Sequence, residues 1–198
     1  MDHVSCTHRM ARQGLALALP AIMVVAGAPA ADPASGPAAP VGLRADAEVD
    51  PTAYALGGYS LHVGAGAGRL RVDLGAFALD VPGFIHGNDG FAAAFHGYGA
   101  KLQAFASPQQ RGGFVGVGLG LVRFTVTRDG TQLAHDAREV SVDVHAGWRL
   151  DLPARFYATA WLAVGRSLGA GDVTLDGATF ARSPWMVFPA LHVGHRFR

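Results

Sequence analysis

The sequence predicts an all-β chain, an eight-stranded antiparallel up-and-down transmembrane β-barrel. Three observations predict it. Apolar and non-apolar residues alternate in segments of strand length through residues 42–198, the period-two pattern of a strand with one apolar face. Charged residues are only 16% of a chain that is 50% apolar, and Lys101 is its one lysine, whereas soluble domains average about 25% charged. No run beyond residue 30 is long and apolar enough for a membrane helix, so any crossing has to be made by strands.

Residues 1–30 have the three parts of a signal peptide: Arg9 and Arg12 early, an apolar run over residues 15–25, and Ala28-Pro29-Ala30 as a small-x-small cleavage site. The run is shorter than the ~20 residues of a membrane span. Cleavage near Ala30 removes Cys6, the only cysteine, and with it disulfides, thiolate metal sites and cysteine nucleophiles. The same cut removes Arg9 and Arg12 against Asp2, taking a formal charge of +1 to neutrality. Nothing then recommends a nucleic-acid partner. The Ala/Pro-rich residues 31–41 read as an extended lead-in that cannot pack a core.

Strands follow in order. Residues 42–50 alternate Leu43, Ala45, Ala47 and Val49 with Arg44, Asp46, Glu48 and Asp50, and Pro51-Thr52 interrupts them. Residues 58–65 set Tyr59, Leu61 and Val63 against Ser60 and His62, with the Gly-rich residues 64–68 as a tight turn. In residues 69–79, Leu70, Val72 and Leu74 oppose Arg71, Asp73 and Gly75, before a polar loop over residues 80–90. Residues 91–106 place Tyr98, Ala100 and Leu102 opposite Gly97, Gly99, Lys101 and Gln103, and residues 107–113 turn the chain. Residues 114–127 oppose Val115, Val117, Leu119 and Leu121 to Gly116, Gly118 and Gly120, with a bulge expected near Val122. Residues 128–138 read as a long polar loop. The cleanest strand is 139–150, with Val140, Val142, Val144, Trp148 and Leu150 against Glu139, Ser141, Asp143, His145 and Arg149. After a turn at 151–154, residues 155–165 set Phe156, Ala158, Leu162 and Val164 against Tyr157, Thr159 and Trp161. A loop over 166–184 leads to the closing strand, residues 185–197, where Trp185, Val187, Leu191, Val193 and Phe197 share one face.

The two faces differ in kind. One is Val, Leu and Ala, with Trp148, Trp185 and Phe197 near strand ends where an aromatic girdle would lie. The other is glycine and charges of both signs: Arg44, Arg71, Lys101, Arg149 and Arg196 against Asp46, Glu48, Asp73 and Asp143, with His145 among them. Glycine weakens an exposed strand surface and suits a narrow lumen. Mixed charges suit an interior in which carboxylates and guanidiniums satisfy one another. Alternation alone also fits a soluble lipocalin-like binding barrel with its faces exchanged, but the content of the faces favours the membrane barrel.

With its signal peptide, its alternating strands and an aromatic, Phe197, one residue from the end, the chain resembles the small eight-stranded outer-membrane proteins of the OmpA, OmpX and OmpW type. That resemblance implies a barrel over residues 42–198 in the bacterial outer membrane, a lead-in on the periplasmic side, and short periplasmic turns with longer external loops. It also implies outer-membrane lipid as surroundings and Phe197 as a signal to the barrel-assembly machinery. It carries over no catalytic residue.

Candidate chemistry is sparse. His192 and His195, three apart, point to opposite faces of a strand, while His62, His145 and His192 share the inward parity and read as members of a hydrogen-bond network. Ser141, Asp143 and His145 supply nucleophile, acid and base types. Their spacing of about 6.6–7 Å per pair exceeds the roughly 2.6–3.2 Å that a relay needs, although Ser60 could reach His145 from another strand. A lipid A deacylase or acyltransferase is therefore the alternative function. No cofactor, metal or dinucleotide is implied, since the Gly-x-Gly runs lack phosphate-binding spacing and a following helix. External-loop residues Phe84, His86, Asn88, Asp89, His135, Asp136, Asp172 and Asp176 could meet an extracellular ligand. The expected role is structural or surface-interacting, with a plugged lumen in which Asp143→Ala would strand a buried cation.

Overall fold

The computed structural model describes residues 42–197; the signal-peptide reading of residues 1–30, with Cys6, and the lead-in reading of residues 31–41 lie outside them. Eight strands close into a ring in chain order: β1 (Arg44–Val49), β2 (Tyr59–Ala67), β3 (Leu70–Val81), β4 (Phe91–Phe105), β5 (Gly112–Arg128), β6 (Ala134–Asp151), β7 (Phe156–Leu168) and β10 (Trp185–Arg196), with β10 returning to β1. Every pairing is antiparallel. Two further strands, β8 (Val173–Leu175) and β9 (Ala178–Phe180), make a separate hairpin between β7 and β10. The up-and-down barrel that the alternation predicts is the fold observed.

The outward set is apolar and exposed, including Leu119 at 53%, Val144 at 61% and Trp185 at 63%. Inward lie Asp46, Glu48, Arg71, Asp73, Gln103, His145, Arg149 and His192, all buried. Trp148, Phe156 and Phe197 stand on the outer wall near the end that carries the short turns, and Tyr59, Tyr98 and Trp185 toward the other end. This is the polarity of a soluble globule turned inside out.

Several boundaries differ from the sequence expectation, each for a physical reason. The turn expected at residues 64–68 is only Gly68-Arg69, with β2 and β3 paired down to Ala67↔Leu70. Gly68 sits at φ +57, a conformation that two-residue hairpin loops need and that glycine adopts freely. The bulge expected near Val122 is absent, since β5 keeps unbroken register with both β4 and β6 through that residue. The long loop expected over 128–138 is mostly ribbon, because β5 and β6 stay paired up to Thr127↔Ala134. Arg123 and Thr125 each reach Asp136 across that ribbon at 2.5 Å, and those hydrogen bonds hold the Asp136 carboxyl below its ordinary range. Polar cross-strand pairs of this kind stabilise a ribbon in water while erasing the apolar signal of a strand.

Pro51-Thr52 begins a helical turn, α1 (Pro51–Ala55), capped by Asp50, whose carboxylate accepts from the Thr52 amide at 2.8 Å. A second turn, α2 (Gly83–His86), lies in the loop expected over residues 80–90. Because β1 is short, it pairs with β10 only from Asp46↔Arg196 to Val49↔Val193. On its other side β10 pairs with β7 from Trp185↔Arg166 to His195↔Phe156. Helix α1, which follows β1 directly, contacts both β10 and β2. Pro189 falls in the part of β10 beyond its ladder with β1, where the strand has a single strand neighbour and a missing amide proton is tolerated.

At each end of the barrel a connecting segment is tied or packed against other strands. At the short-turn end, residues 106–111 between β4 and β5 are tied to strands across the ring: Arg44 donates to the Pro108 carbonyl at 2.9 Å, Arg196 to the Gln110 carbonyl at 3.1 Å, and Gln110 to the Gly68 and Leu70 carbonyls at 3.1 and 3.0 Å. At the long-loop end the β8–β9 hairpin buries Val173 and Phe180 against Phe91, Ala93 and Val126, with Phe124 packed alongside. The loop expected over 166–184 thus contains an ordered cap.

Candidate functional site

The lower lumen is organised around Arg71. Its guanidinium meets Asp46 at 2.5 Å, Asp73 at 3.0 Å and Glu48 at 3.5 Å, and donates to Gln103 at 2.8 Å. Asp73 also takes Lys101 at 3.0 Å and His62 at 2.9 Å. Glu48 takes Arg149 at 3.3 Å and His192 at 2.9 Å. The Tyr157 hydroxyl lies 2.9 Å from Asp46 and 3.0 Å from Glu48. Arg149 donates to Thr159 at 3.0 Å and stacks between Phe105 and Tyr157. Three carboxylates, Asp46, Glu48 and Asp73, thus face three basic side chains, Arg71, Lys101 and Arg149. Buried charge is tolerated where it is paired in this way.

Glycines in the neighbouring strands make this packing sterically feasible. Arg71 on β3 reaches Asp46 on β1 by passing over Gly64 of the intervening β2, where a Cβ would stand 2.3 Å from the guanidinium. His62 lies over Gly75, His145 over Gly116, Asp143 over Gly118 and Tyr157 over Gly194, each in the position a Cβ would occupy. The glycine-rich inward parity is therefore a set of seats for the large side chains of adjacent strands.

Not every residue assigned to the interior network joins it. Arg44 and Arg196 have moved to the mouth: Arg44 bonds only the Pro108 carbonyl among the described residues, and Arg196 pairs with Asp151 at 2.7 Å as well as holding Gln110. Asp143 has no guanidinium partner among the described residues. It pairs with His145 at 2.7 Å and keeps 22% of its side chain exposed, so its removal strands no buried cation. That contact also corrects the distance argument for Ser141, Asp143 and His145. The Cα atoms are too far apart, but the two side chains lean along the strand over Gly116 and Gly118 until they touch.

No serine or threonine hydroxyl bonds this pair among the described residues. His145 Nε2 is buried without a hydrogen-bond partner among the described residues, and the ring is bounded by Phe114 and Trp161. Ser60 lies on β2, paired with Phe77 and buried, and makes no bond to His145 among the described residues. The three inward histidines do not converge either. His62 and His192 approach to 4.9 Å between ring centroids, while Trp161 separates His192 from His145. No group of three metal-capable side chains occurs among the described residues. His195 points outward, between Phe156 and Phe197.

Sequence reasoning placed Gln103, Tyr157 and Thr159 on the polar faces of their strands without assigning them to the charge network, and it missed Gln110, which lies in a turn that no periodicity reports. It also missed the latch at the long-loop end, where Arg182 pairs with Glu139 and lies 3.6 Å from the Phe124 ring centre, and where Ser167 bonds the same carboxylate. Of the external-loop residues, Asn88 pins Ala181 through two hydrogen bonds of 2.8 and 3.1 Å, His86 stacks on Phe180, and Asp172 accepts from the Arg182 amide at 2.8 Å. Phe84 remains exposed at 84%. A cavity of about 150 Å³ beneath the hairpin is lined by Phe124, His135, Glu139, Asp172 and Arg182, and Glu139 and Arg182 there are spent on each other.

No protein-family model and no curated protein matches the chain. Among solved structures it is similar to Neisserial surface protein A, NspA, at 14% identity and a TM-score of 0.48, covering 78% of this chain and 94% of that one. It is also similar to the N-terminal β-barrel domain of Pseudomonas aeruginosa OprF, at 17% identity and a TM-score of 0.43, covering 78% of this chain and 96% of that one.

Proposed function

We propose that the protein is an integral barrel of the bacterial outer membrane with a structural or surface-interaction role and a lumen sealed by its own side chains. One observation carries the reading: the ion-paired, buried polar set is inside and a continuous apolar wall is outside. In water that wall would cost free energy over its whole area, whereas in a bilayer it matches the apolar band, bounded by aromatic girdles, of outer-membrane barrels. The band ends on β5 and β6 where Leu121 and Val140 give way to Arg123 and Arg138. Secretion through the signal peptide at residues 1–30 and delivery to the barrel-assembly machinery through the strand ending at Phe197 belong to the same proposal. The protein is expected in the membrane fraction, extracted only by detergent, and with a gel mobility that shifts on heating; recovery from the periplasmic fluid without detergent would overturn the reading in favour of a soluble binding barrel.

The seal has its own test. An eight-stranded ring is just wide enough for side chains to fill, and the reading is supported by the burial of Arg71 and Arg149 inside it and by the segments tied or packed at its two ends. Planar bilayers containing the purified protein are expected to show no stable unitary currents. Reproducible porin-like steps would mean that the lumen conducts.

A further inference from the structure

The two ends of the barrel differ in charge. At the short-turn end the turns carry Arg69, Arg111 and Arg155, all exposed and none with a hydrogen bond or ion pair from its side chain among the described residues. The carboxylate exposed there, Asp151, is taken by Arg196 at 2.7 Å. The long-loop end instead exposes six carboxylates, Asp80, Asp89, Asp129, Asp136, Asp172 and Asp176, against three exposed guanidiniums, Arg123, Arg138 and Arg166. An unpaired guanidinium just beyond an apolar wall attracts anionic headgroups, each basic residue near such a surface favouring them roughly fivefold.

One of these arginines borders a groove. Gly113 of β5 is the register partner of Trp148 on β6, and a Cβ on Gly112 or Gly113 would meet the indole at 3.7 or 3.4 Å. The glycine pair lets the indole lie against the wall and leaves a groove of about 510 Å³, bordered by Arg111, Trp148, Leu150 and Asp151. Its floor is apolar, with Trp148 exposed at 52% and Leu150 at 58%, and its unpaired charge is Arg111. Arg149, also at its edge, is committed inward to Glu48.

We infer that this groove binds an anionic glycerophospholipid of the leaflet facing the short turns, one acyl chain against Trp148 and Leu150 and the phosphate on Arg111. A guanidinium forks onto phosphate oxygens, and the indole suits the boundary between chain and headgroup. The inference rests on the membrane reading above, and its test separates the two.

Protein in micelles containing equal phosphatidylglycerol and phosphatidylcholine is examined by native mass spectrometry, after heat-shifted mobility has established that the barrel is folded. The wild type is expected to retain phosphatidylglycerol roughly fivefold over phosphatidylcholine. Arg111→Gln should abolish that preference, and Arg123→Gln, at the opposite end, should preserve it. Trp148→Ser should lower retention of both lipids, and soluble glycerol phosphate should displace neither. Equal retention by the wild type, an undiminished preference in Arg111→Gln, or displacement by the headgroup alone would overturn the site and leave the membrane reading standing. Failure of the wild type to fold into micelles would overturn the membrane reading itself.

Discussion

Arg71→Ala is expected to lower the unfolding free energy by about 3–5 kcal/mol, the range for removing one partner of a buried ion cluster. The cost comes chiefly from what remains. Asp46, Glu48 and Asp73 are all buried, and Arg71 is the cation that touches each of them. Lys101 serves Asp73 and Arg149 serves Glu48, but among the described residues Asp46 keeps only the Tyr157 hydroxyl. Urea titration of the barrel folded in micelles, followed by tryptophan fluorescence, measures the loss. Arg123→Ala, which breaks an exposed pair on the ribbon, is the control and should change little. An Arg71→Ala barrel as stable as that control would show that the lumen is hydrated enough to screen its charges.

Gly194→Val is expected to cost about 3–5 kcal/mol, combining overpacking with the loss of hydrogen bonds to charged groups. A Cβ at Gly194 would stand 2.2 Å from the Tyr157 ring and 2.4 Å from its hydroxyl oxygen. Tyr157 is fully buried and lies under the Arg149 guanidinium, 4.1 Å from its ring centre, so it cannot swing aside. Displacing it removes the donor shared by Asp46 and Glu48. In a Tyr157→Phe background the hydroxyl contribution is already lost, so the two changes should be less than additive. Gly171→Val, where a Cβ would meet nothing within 4 Å, should be silent. A Gly194→Val barrel with wild-type stability would mean that Tyr157 does not occupy that seat.

The extent to which the barrel could be read from its sequence follows from what period two encodes. It assigns a face to each strand residue, so Arg71, Asp73, Lys101, Arg149 and the outer Trp148 and Trp185 could be placed without coordinates. It says nothing about reach along or across strands. Asp143 and His145 touch although their Cα atoms are far apart, and Arg71 crosses a whole strand because Gly64 lies in its path. Both depend on glycine in a neighbouring strand, a coupling that requires register as well as parity. Periodicity also fails where water replaces the apolar environment. The Arg123–Asp136 ribbon has strand geometry without a strand's hydropathy, and the β8–β9 hairpin is too short to show a period at all.

The short joint between β1 and β10 has a mechanical consequence. Every other seam of the ring joins strands that are close neighbours in the chain and share a hairpin or a single connection, so it can zip from its connecting turn. This joint brings together the first and last strands, with no turn to nucleate it, and its closure carries the largest loop-entropy cost in the ring. It is also held by the shortest ladder. Free energy of local opening follows the number of contacts broken, so the wall should part at this line before any other, freeing the edge of β10 over residues 193–196 and lengthening the edge that already lacks a second strand above it, where Pro189 offers no amide for an incoming strand to pair with. Helix α1, capped by Asp50 and in contact with β10 on one side of the joint and with β2 and β3 on the other, then acts as a bolt across it, helping to set how long the ring remains closed.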